Sequence, residues 1–313
     1  MFETVAIASP GLVLGLAVLF DLLLGEMPAA CHPVVWMGRL TGWLTRSLPE
    51  QKPRTAFWLG TLVTLSLATG FTGATLLLLA ALAPWPLLQT LVAVWLLKST
   101  FALRELGLAS RRVGRALGAG RLDEARLALR SLCSRDPRNL QEAGLASAAA
   151  GSVAENLSDS FIAPLFWFAL FGLPGAVCYR LINTMDAMVG YRGRWEYAGK
   201  TAAVLDDLLN FVPARLTALL LLVAAIPGPL PARRGWQVLA RDRRQTPSPN
   251  GGWPMAAMAG ILGMCIEKEG EYRLGPAGMP ATLQGLNQAW LVALGAAAVM
   301  LTLLFTGGVP WWG

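Results

Sequence analysis

From Ala56 to Ala83 the chain carries no charged side chain. A helix that crosses a bilayer needs about 20 mostly apolar residues, and a backbone in hydrocarbon must satisfy its own hydrogen bonds. This run is read as a membrane helix with length to spare for tilting or for starting in the interface. Three more runs fit: Ala6 to Gly25, apart from Asp21; Leu87 to Leu103, where Lys98 near one end can snorkel; and Ala289 to Thr306, closed by Trp311 and Trp312 as interfacial anchors. Pro84-Trp85-Pro86 turns the second run into the third. Phe161 to Tyr179 and Leu216 to Leu230 are apolar but interrupted by proline and glycine, and each either spans or dips in as a re-entrant segment covered by protein.

The chain therefore reads as an all-α integral membrane protein, a single polytopic domain over 1–313 with about 4–6 membrane helices or re-entrant segments. Helical polar loops are expected at 26–55, 104–159, 181–207 and 231–287. Within the second, Leu122, Ala125, Leu129 and Leu132 recur at helical spacing, and Asp123-Glu124 suits a first turn. Charged residues make up 14% of the chain, well under the roughly 25% of soluble proteins. The net charge of +7 is assigned to basic loops on the cytoplasmic side. No nucleic-acid partner is expected, since no basic recognition helix or aromatic-basic module appears. On the positive-inside rule, 26–55, 104–159 and 231–287 are cytoplasmic, while near-neutral 181–207 is not placed by charge. The N-terminal run follows Glu3 without a preceding Lys or Arg, so it is read as a retained helix and not a signal peptide.

Four scattered cysteines and one histidine, His32, argue against a zinc site or a Cys–His couple. His32 stands near Asp21 and Glu26 at a membrane boundary, where it is either a structural hydrogen bonder or a functional group. Ser152, Glu155, Asn156 and Asp159 fall at i, i+3, i+4 and i+7, one helical face at the mouth of the apolar Phe161 to Phe171. That face either handles Mg²⁺ or phosphate or carries acids that favour a helix N-terminus. Asn183 with Asp186, and Lys200 with Asp207, repeat the pattern; Asp206 and Asn210 adjoin. AGKT at 198–201 resembles the end of a P-loop, but Arg194 stands where a glycine is required and no buried strand precedes it. Arg192 and Lys200 meet phosphate or line a solvated loop. Arg135 and Asp136 lie in a turn set by Pro137. Asn250 sits in the turn SPNGG, which serves helix packing or presents backbone N–H groups to an anion.

Six blocks in order, DLLLGEMP…HPVVWMGRL, SRDP, SVAENLSDSFIAPLFW, YRLINTMDAMVGYR, LDDLLNFVPARLTALLL and SPNGGWPMAAMAG, resemble the CobD/CbiB family of cobalamin biosynthesis, the adenosylcobinamide-phosphate synthases. The likeness covers about residues 20 to 275. Three positions depart from its pattern: Gly25-Glu26-Met27-Pro28 where Gly-Asp-Pro is expected, Gly151 where a glutamate is expected, and Ser134-Arg135-Asp136-Pro137 where Gly-Arg-Asp-Thr is expected.

The resemblance implies a bacterial inner-membrane carbon–nitrogen ligase with its active loops in the cytoplasm. It would join adenosylcobyric acid to (R)-1-amino-2-propanol or its O-phosphate, with ATP and Mg²⁺, and the resemblance implies other cobalamin-assembly enzymes as partners. On that reading Glu155, Asp159, Asp186, Asp206 and Asp207 are the expected metal ligands. Arg135, Arg192 and Lys200 hold phosphates, Asn156 and Asn183 orient the carboxyl, Asn250 belongs to the anion turn, and a carboxylate (Glu155, Asp159 or Asp186) or His32 accepts the amine proton. The aromatic run 161–171 floors the site or lines it for the corrin ring. A cytoplasmic 181–207 then requires 161–179 and 208–230 to be re-entrant or hairpin segments. The alternatives are a non-catalytic membrane sensor or scaffold, for which the AmpE-like signalling proteins are a weaker likeness, and a small transporter, which would show inverted repeats.

Overall fold

The computed structural model describes residues 9–133, 135–228 and 230–307; Trp311 and Trp312, expected as anchors, lie outside them. In chain order the helices are α1 (Pro10–Leu24), α2 (Pro33–Thr45), α3 (Pro53–Ala81), α4 (Pro86–Thr100), α5 (Leu103–Gly118), α6 (Leu122–Leu129), α7 (Glu142–Leu157), α8 (Ala163–Val189), α9 (Lys200–Leu209), α10 (Phe211–Ala225), α11 (Ala232–Asp242) and α12 (Gly252–Leu262). A short hairpin, β1 (Ile266–Lys268) and β2 (Tyr272–Leu274), precedes α13 (Leu283–Thr306). Among the described residues, 53–81, 86–118, 142–189 and 283–306 form helical runs long and apolar enough to cross a membrane, and 200–209 with 211–225 makes a fifth if counted as one. The protein is an all-α, multi-pass membrane protein.

The chain divides into two compact units. The first comprises 1–102, 163–209 and 304–313; the second comprises 103–162 and 210–303.

In the first unit, α1 to α4 each open on proline, whose fixed φ suits the first helical position and whose missing N–H costs nothing there. α8 packs on α2, α3, α4 and α9. It is not straight. Phe171 and Gly172 leave helical geometry, with Gly172 at φ 64°, a value that glycine tolerates and other residues rarely adopt. A Cβ on Gly175 would lie 2.6 Å from the Trp167 carbonyl oxygen. Eight residues along a straight helix rise about 12 Å, so the chain bends sharply between 163–170 and 173–189. Trp167 stacks on Phe171 at 5.6 Å and donates its indole N–H to the Leu209 carbonyl at 3.1 Å. The segment expected as re-entrant or hairpin is thus two helical pieces joined at a kink. Gly60 of α3 admits the Ala198 carbonyl, and the Thr61 and Thr201 hydroxyls meet at 2.6 Å, which ties α3 to the start of α9.

In the second unit, the core is built on α7 and α12. Nearly every residue from Leu145 to Leu157 and from Pro254 to Ile261 is buried. Both helices are rich in Ala and Gly, which permit close helix approach. Gly260 lies against Val238 and Gly235 of α11, and a Cβ there would come within 2.7 Å of Val238. The expected polar loop 104–159 therefore needs correction in its last third. The run LASAAAGSVA carries no charge to hold it in water, and it forms the centre of this unit. α6 does behave as its spacing predicts, with Ala125, Leu129 and Leu132 buried.

Candidate active site

The second unit holds a cleft of about 240 Å³. Ser152 and Glu155 of α7 form one wall. Arg135 contributes from the loop after α6, Ser248 and Gly251 from the turn before α12, and Lys268 and Tyr272 from the hairpin. Each wall has a local cause. Asn156 donates to the Leu132 and Ser152 carbonyls, both at 2.9 Å, and so pins the loop to α7. Pro247 and Pro249 restrict the turn, the Ser248 hydroxyl accepts the Asn250 N–H at 3.2 Å, and the Asn250 carbonyl accepts the Trp253 N–H at 3.0 Å. Gly251 lies so close to Glu155 that a Cβ would sit 2.9 Å from a carboxylate oxygen. The space beside this glycine turn therefore holds a carboxylate of the chain itself.

The hairpin is seated by Ser147, which accepts the Glu267 N–H at 2.9 Å, and by Gly151, where a Cβ would reach Ile266 at 2.9 Å. Arg135 donates to the Glu267 carbonyl at 3.1 Å and towards the Tyr272 hydroxyl at 3.5 Å. Burial pushes the Tyr272 phenol up to about 12, with the neighbouring Arg135 opposing and Glu155 reinforcing the rise. The phenol stays protonated across the physiological range. Asp242 is buried behind the hairpin and accepts the Gly275 N–H at 2.8 Å. Burial raises its pKa, but hydrogen bonds from Arg241 and Gly275 outweigh that and hold the carboxyl below its ordinary range.

Of the expected site residues, Glu155 and Arg135 line this cleft. Asn156 braces its wall, and Asn250 is buried, accepting from Arg215 at 3.2 Å. Asp159 is half-buried in a π-helical turn, Ser158–Ile162, and is not among the residues that line the cleft. Lys268 and Tyr272 escaped the sequence reading.

The remaining candidates belong to the first unit. Asn183 of α8 donates to Asp206 of α9 at 3.1 Å, and Asp186 faces both Asp206 and Asp207. Lys200 and Arg192 are exposed, and turns rather than a strand precede Gly199-Lys200, as expected of a sequence that only resembles a P-loop. His32 caps α2: its Nδ1 accepts the Val34 N–H at 3.3 Å, and its Nε2 meets Glu26 at 2.9 Å. Both ring nitrogens are engaged within the protein. Glu26 also meets Lys98 at 2.9 Å, and Lys98 meets Asp21 at 3.1 Å.

Among the described residues, no three His, Cys, Asp or Glu side chains gather as a metal-ligand set. Glu155 and Asp159 belong to one unit and Asp186, Asp206 and Asp207 to the other, and Asp206 already accepts from Asn183.

A multi-pass helical membrane protein with a charged cleft beside an Ala-rich helix is the class these features define. Comparison with known proteins narrows it. The profile of the CobD/Cbib protein family matches residues 14–290. The chain is 39% identical over 297 residues to "Cobalamin biosynthesis protein CobD" of Dehalococcoides mccartyi, covering 95% of this chain and 96% of that one. It is 43% identical over 299 residues to "Probable cobalamin biosynthesis protein CobD" of Thermococcus kodakarensis, covering 94% and 96%. For the protein of the same description from Pyrococcus abyssi the values are 44% over 267 residues, 85% and 86%. The chain belongs to the CobD/CbiB family of cobalamin biosynthesis proteins. No solved structure matches it.

Proposed function

We propose that this protein is the ligase that joins adenosylcobyric acid to (R)-1-amino-2-propanol or its O-phosphate, driven by ATP, at the cytoplasmic face of the inner membrane. The observation that carries this reading is the convergence of Glu155 and Arg135 in one cleft, with Lys268 and the Tyr272 hydroxyl beside them.

A carboxylate does not form an amide until its oxygen becomes a leaving group. In the proposed sequence a carboxylate oxygen of the corrinoid attacks the terminal phosphorus of ATP, and ADP leaves. The free amine then attacks the acyl carbon, phosphate departs, and one proton leaves the nitrogen. Arg135 is preorganised by its two hydrogen bonds and offers charge-assisted donors to phosphate or acyl-phosphate oxygens. Lys268, ion-paired with Glu271 at 2.6 Å in the same wall, adds a second cation. Protonated Tyr272 is a neutral donor. Glu155 would take the amine proton.

The donor set fits magnesium only in one form. Glu155 and Glu271 are the cleft's carboxylates, and Mg²⁺ favours one or two carboxylates completed by phosphate oxygens and water. Glu155 would hold such an ion, which supplies charge neutralisation at the phosphates.

The test is complementation of a strain lacking its cobinamide synthase and fed cobyric acid, with membrane levels checked. Wild type should restore growth, and Glu155→Gln and Arg135→Ala should not. A purified preparation should form the amide from adenosylcobyric acid, amino alcohol and ATP. Growth with both variants would remove this cleft as the site. Failure of well-expressed wild type in both assays would overturn the activity, in favour of a sensor or scaffold.

A further inference from the structure

A second chamber, of about 390 Å³, adjoins the cleft and shares Cys133 and Arg135 with it. Arg130, Asp136, Pro137 and Arg138 complete its lining. The lining carries three arginines and one carboxylate, a surplus of two positive charges. Asp136 occupies Arg138 as an anionic ligand would. Its oxygens accept from Nε of Arg138 at 2.8 and 3.0 Å, and Nη2 approaches to 2.5 Å. Those Arg138 hydrogen bonds hold the exposed Asp136 carboxyl down at about 2, with Arg130 adding its field, so the carboxylate stays ionised at working pH. Arg135 spends one N–H on the Glu267 carbonyl and one on Tyr272, and a guanidinium has five N–H donors in a rigid fork. The rest remain for a ligand.

We propose that Arg130, Arg135 and Arg138 form a phosphate-binding chamber that opens into the Glu155 cleft and receives a phosphate group of a reactant. This rests on the ligase reading for the identity of the reactant, though not for phosphate binding itself. A phosphomonoester carries about −1.5 to −2 charges near neutral pH, which matches the uncompensated charge. Arginine forks recognise phosphate in the bidentate manner already seen between Arg138 and Asp136. The bound phosphate displaces Asp136 from Arg138. The rest of the reactant extends past Arg135, the residue common to both spaces, towards Glu155. Two sources share this chemistry: the phosphorylated amino alcohol and ATP.

The experiment uses the full chain in detergent. Calorimetric titration with inorganic phosphate should show binding that weakens about tenfold or more in Arg130→Ala/Arg138→Ala and tightens in Asp136→Asn, where the competing carboxylate is gone. A surface ion pair without a ligand role would leave phosphate binding unmoved in both variants, and that result overturns the proposal. In the ligase assay, the double arginine variant should raise KM for one phosphorylated reactant and leave KM for unphosphorylated (R)-1-amino-2-propanol unchanged. A rise confined to the O-phosphate identifies the amine donor as the occupant, and a rise confined to ATP identifies the nucleotide. A fall in kcat with every KM unchanged counts against the chamber. An inactive wild type that still binds phosphate in an Arg138-dependent way would sink the ligase reading and keep the chamber.

Discussion

Lys98 is the most exposed to test of all the interactions in the first unit, because it is 0% accessible and binds two acids at once. Its ammonium lies 3.1 Å from Asp21, itself 1% accessible, and 2.9 Å from Glu26, and it donates to the Phe101 carbonyl at 3.2 Å. Lys98→Met keeps the length of the side chain and removes its charge. Asp21 is then left buried without its cation, and Glu26 keeps only His32. Removing one partner of a buried ion pair typically costs about 3–5 kcal/mol, because the other charge stays desolvated. At about 2–4 °C per kcal/mol for a domain of this size, the melting temperature should fall by roughly 10 °C. The assay is thermal unfolding in detergent, followed by the burst of thiol reactivity from the free cysteines. Lys98→Met/Asp21→Asn should recover much of the loss, since neutralising both sides of a buried pair is often nearly harmless. If Lys98→Met unfolds with wild type, or the double variant is no better than the single, the reasoning about the buried pair is wrong.

Two further outcomes follow from the geometry. Burial raises the pKa of Glu26, but hydrogen bonds from His32 and Lys98 and the charge of Lys98 outweigh it, so the folded value lies below the ordinary 4.5. The unfolded chain thus takes up the proton first on acidification. The contribution is complete above about pH 4.5 and is lost as pH falls through the folded value; Glu26→Gln should flatten the acid limb of the melting-temperature profile, and an unchanged limb refutes it. Gly151→Glu, which restores the acid expected from the family pattern, should destabilise by about 1–3 kcal/mol, because a Cβ there meets Ile266 at 2.9 Å and the hairpin must shift. A melting temperature equal to wild type would show that the hairpin yields freely.

Much of this fold is legible in the sequence. Uninterrupted apolar runs set α3 and α13, and the Pro174-Gly175 interruption of the run 161–179 lies just after the break of α8 at Phe171-Gly172. The 3.6-residue spacing of Glu155 with Ser152 puts both on one wall. The spacing fails one turn later. The wider π-helical turn at Ser158–Ile162 changes the register, and Asp159 does not join them. Lys268 and Tyr272 were missed because their place depends on pairing between β1 and β2 and on seating against Ser147 and Gly151, all long-range contacts. The local signal, EKEGEY, is only a short hairpin cue with Gly270 at positive φ. The central position of α7 was hidden by the arginines of the preceding segment, which made the whole of 104–159 read as polar. Sequence proximity to polar blocks also says nothing of which unit each block joins: Glu155 and Asp159 fall in the second, and Asp186, Asp206 and Asp207 in the first.

The kinked α8 also constrains how the protein is made. Non-helical backbone such as that at Phe171 and Gly172 is tolerated at membrane depth only where protein or a water-filled space covers it. Three of the helices that pack on α8, namely α2, α3 and α4, precede it in the chain. Synthesis runs from the N-terminus, so this cradle leaves the ribosome before the segment that needs it. The order of the chain thereby gives shelter in time as well as in space: the broken helix emerges after the neighbours that cover its break. Moved ahead of α2 by circular permutation, the same segment would have to face lipid first.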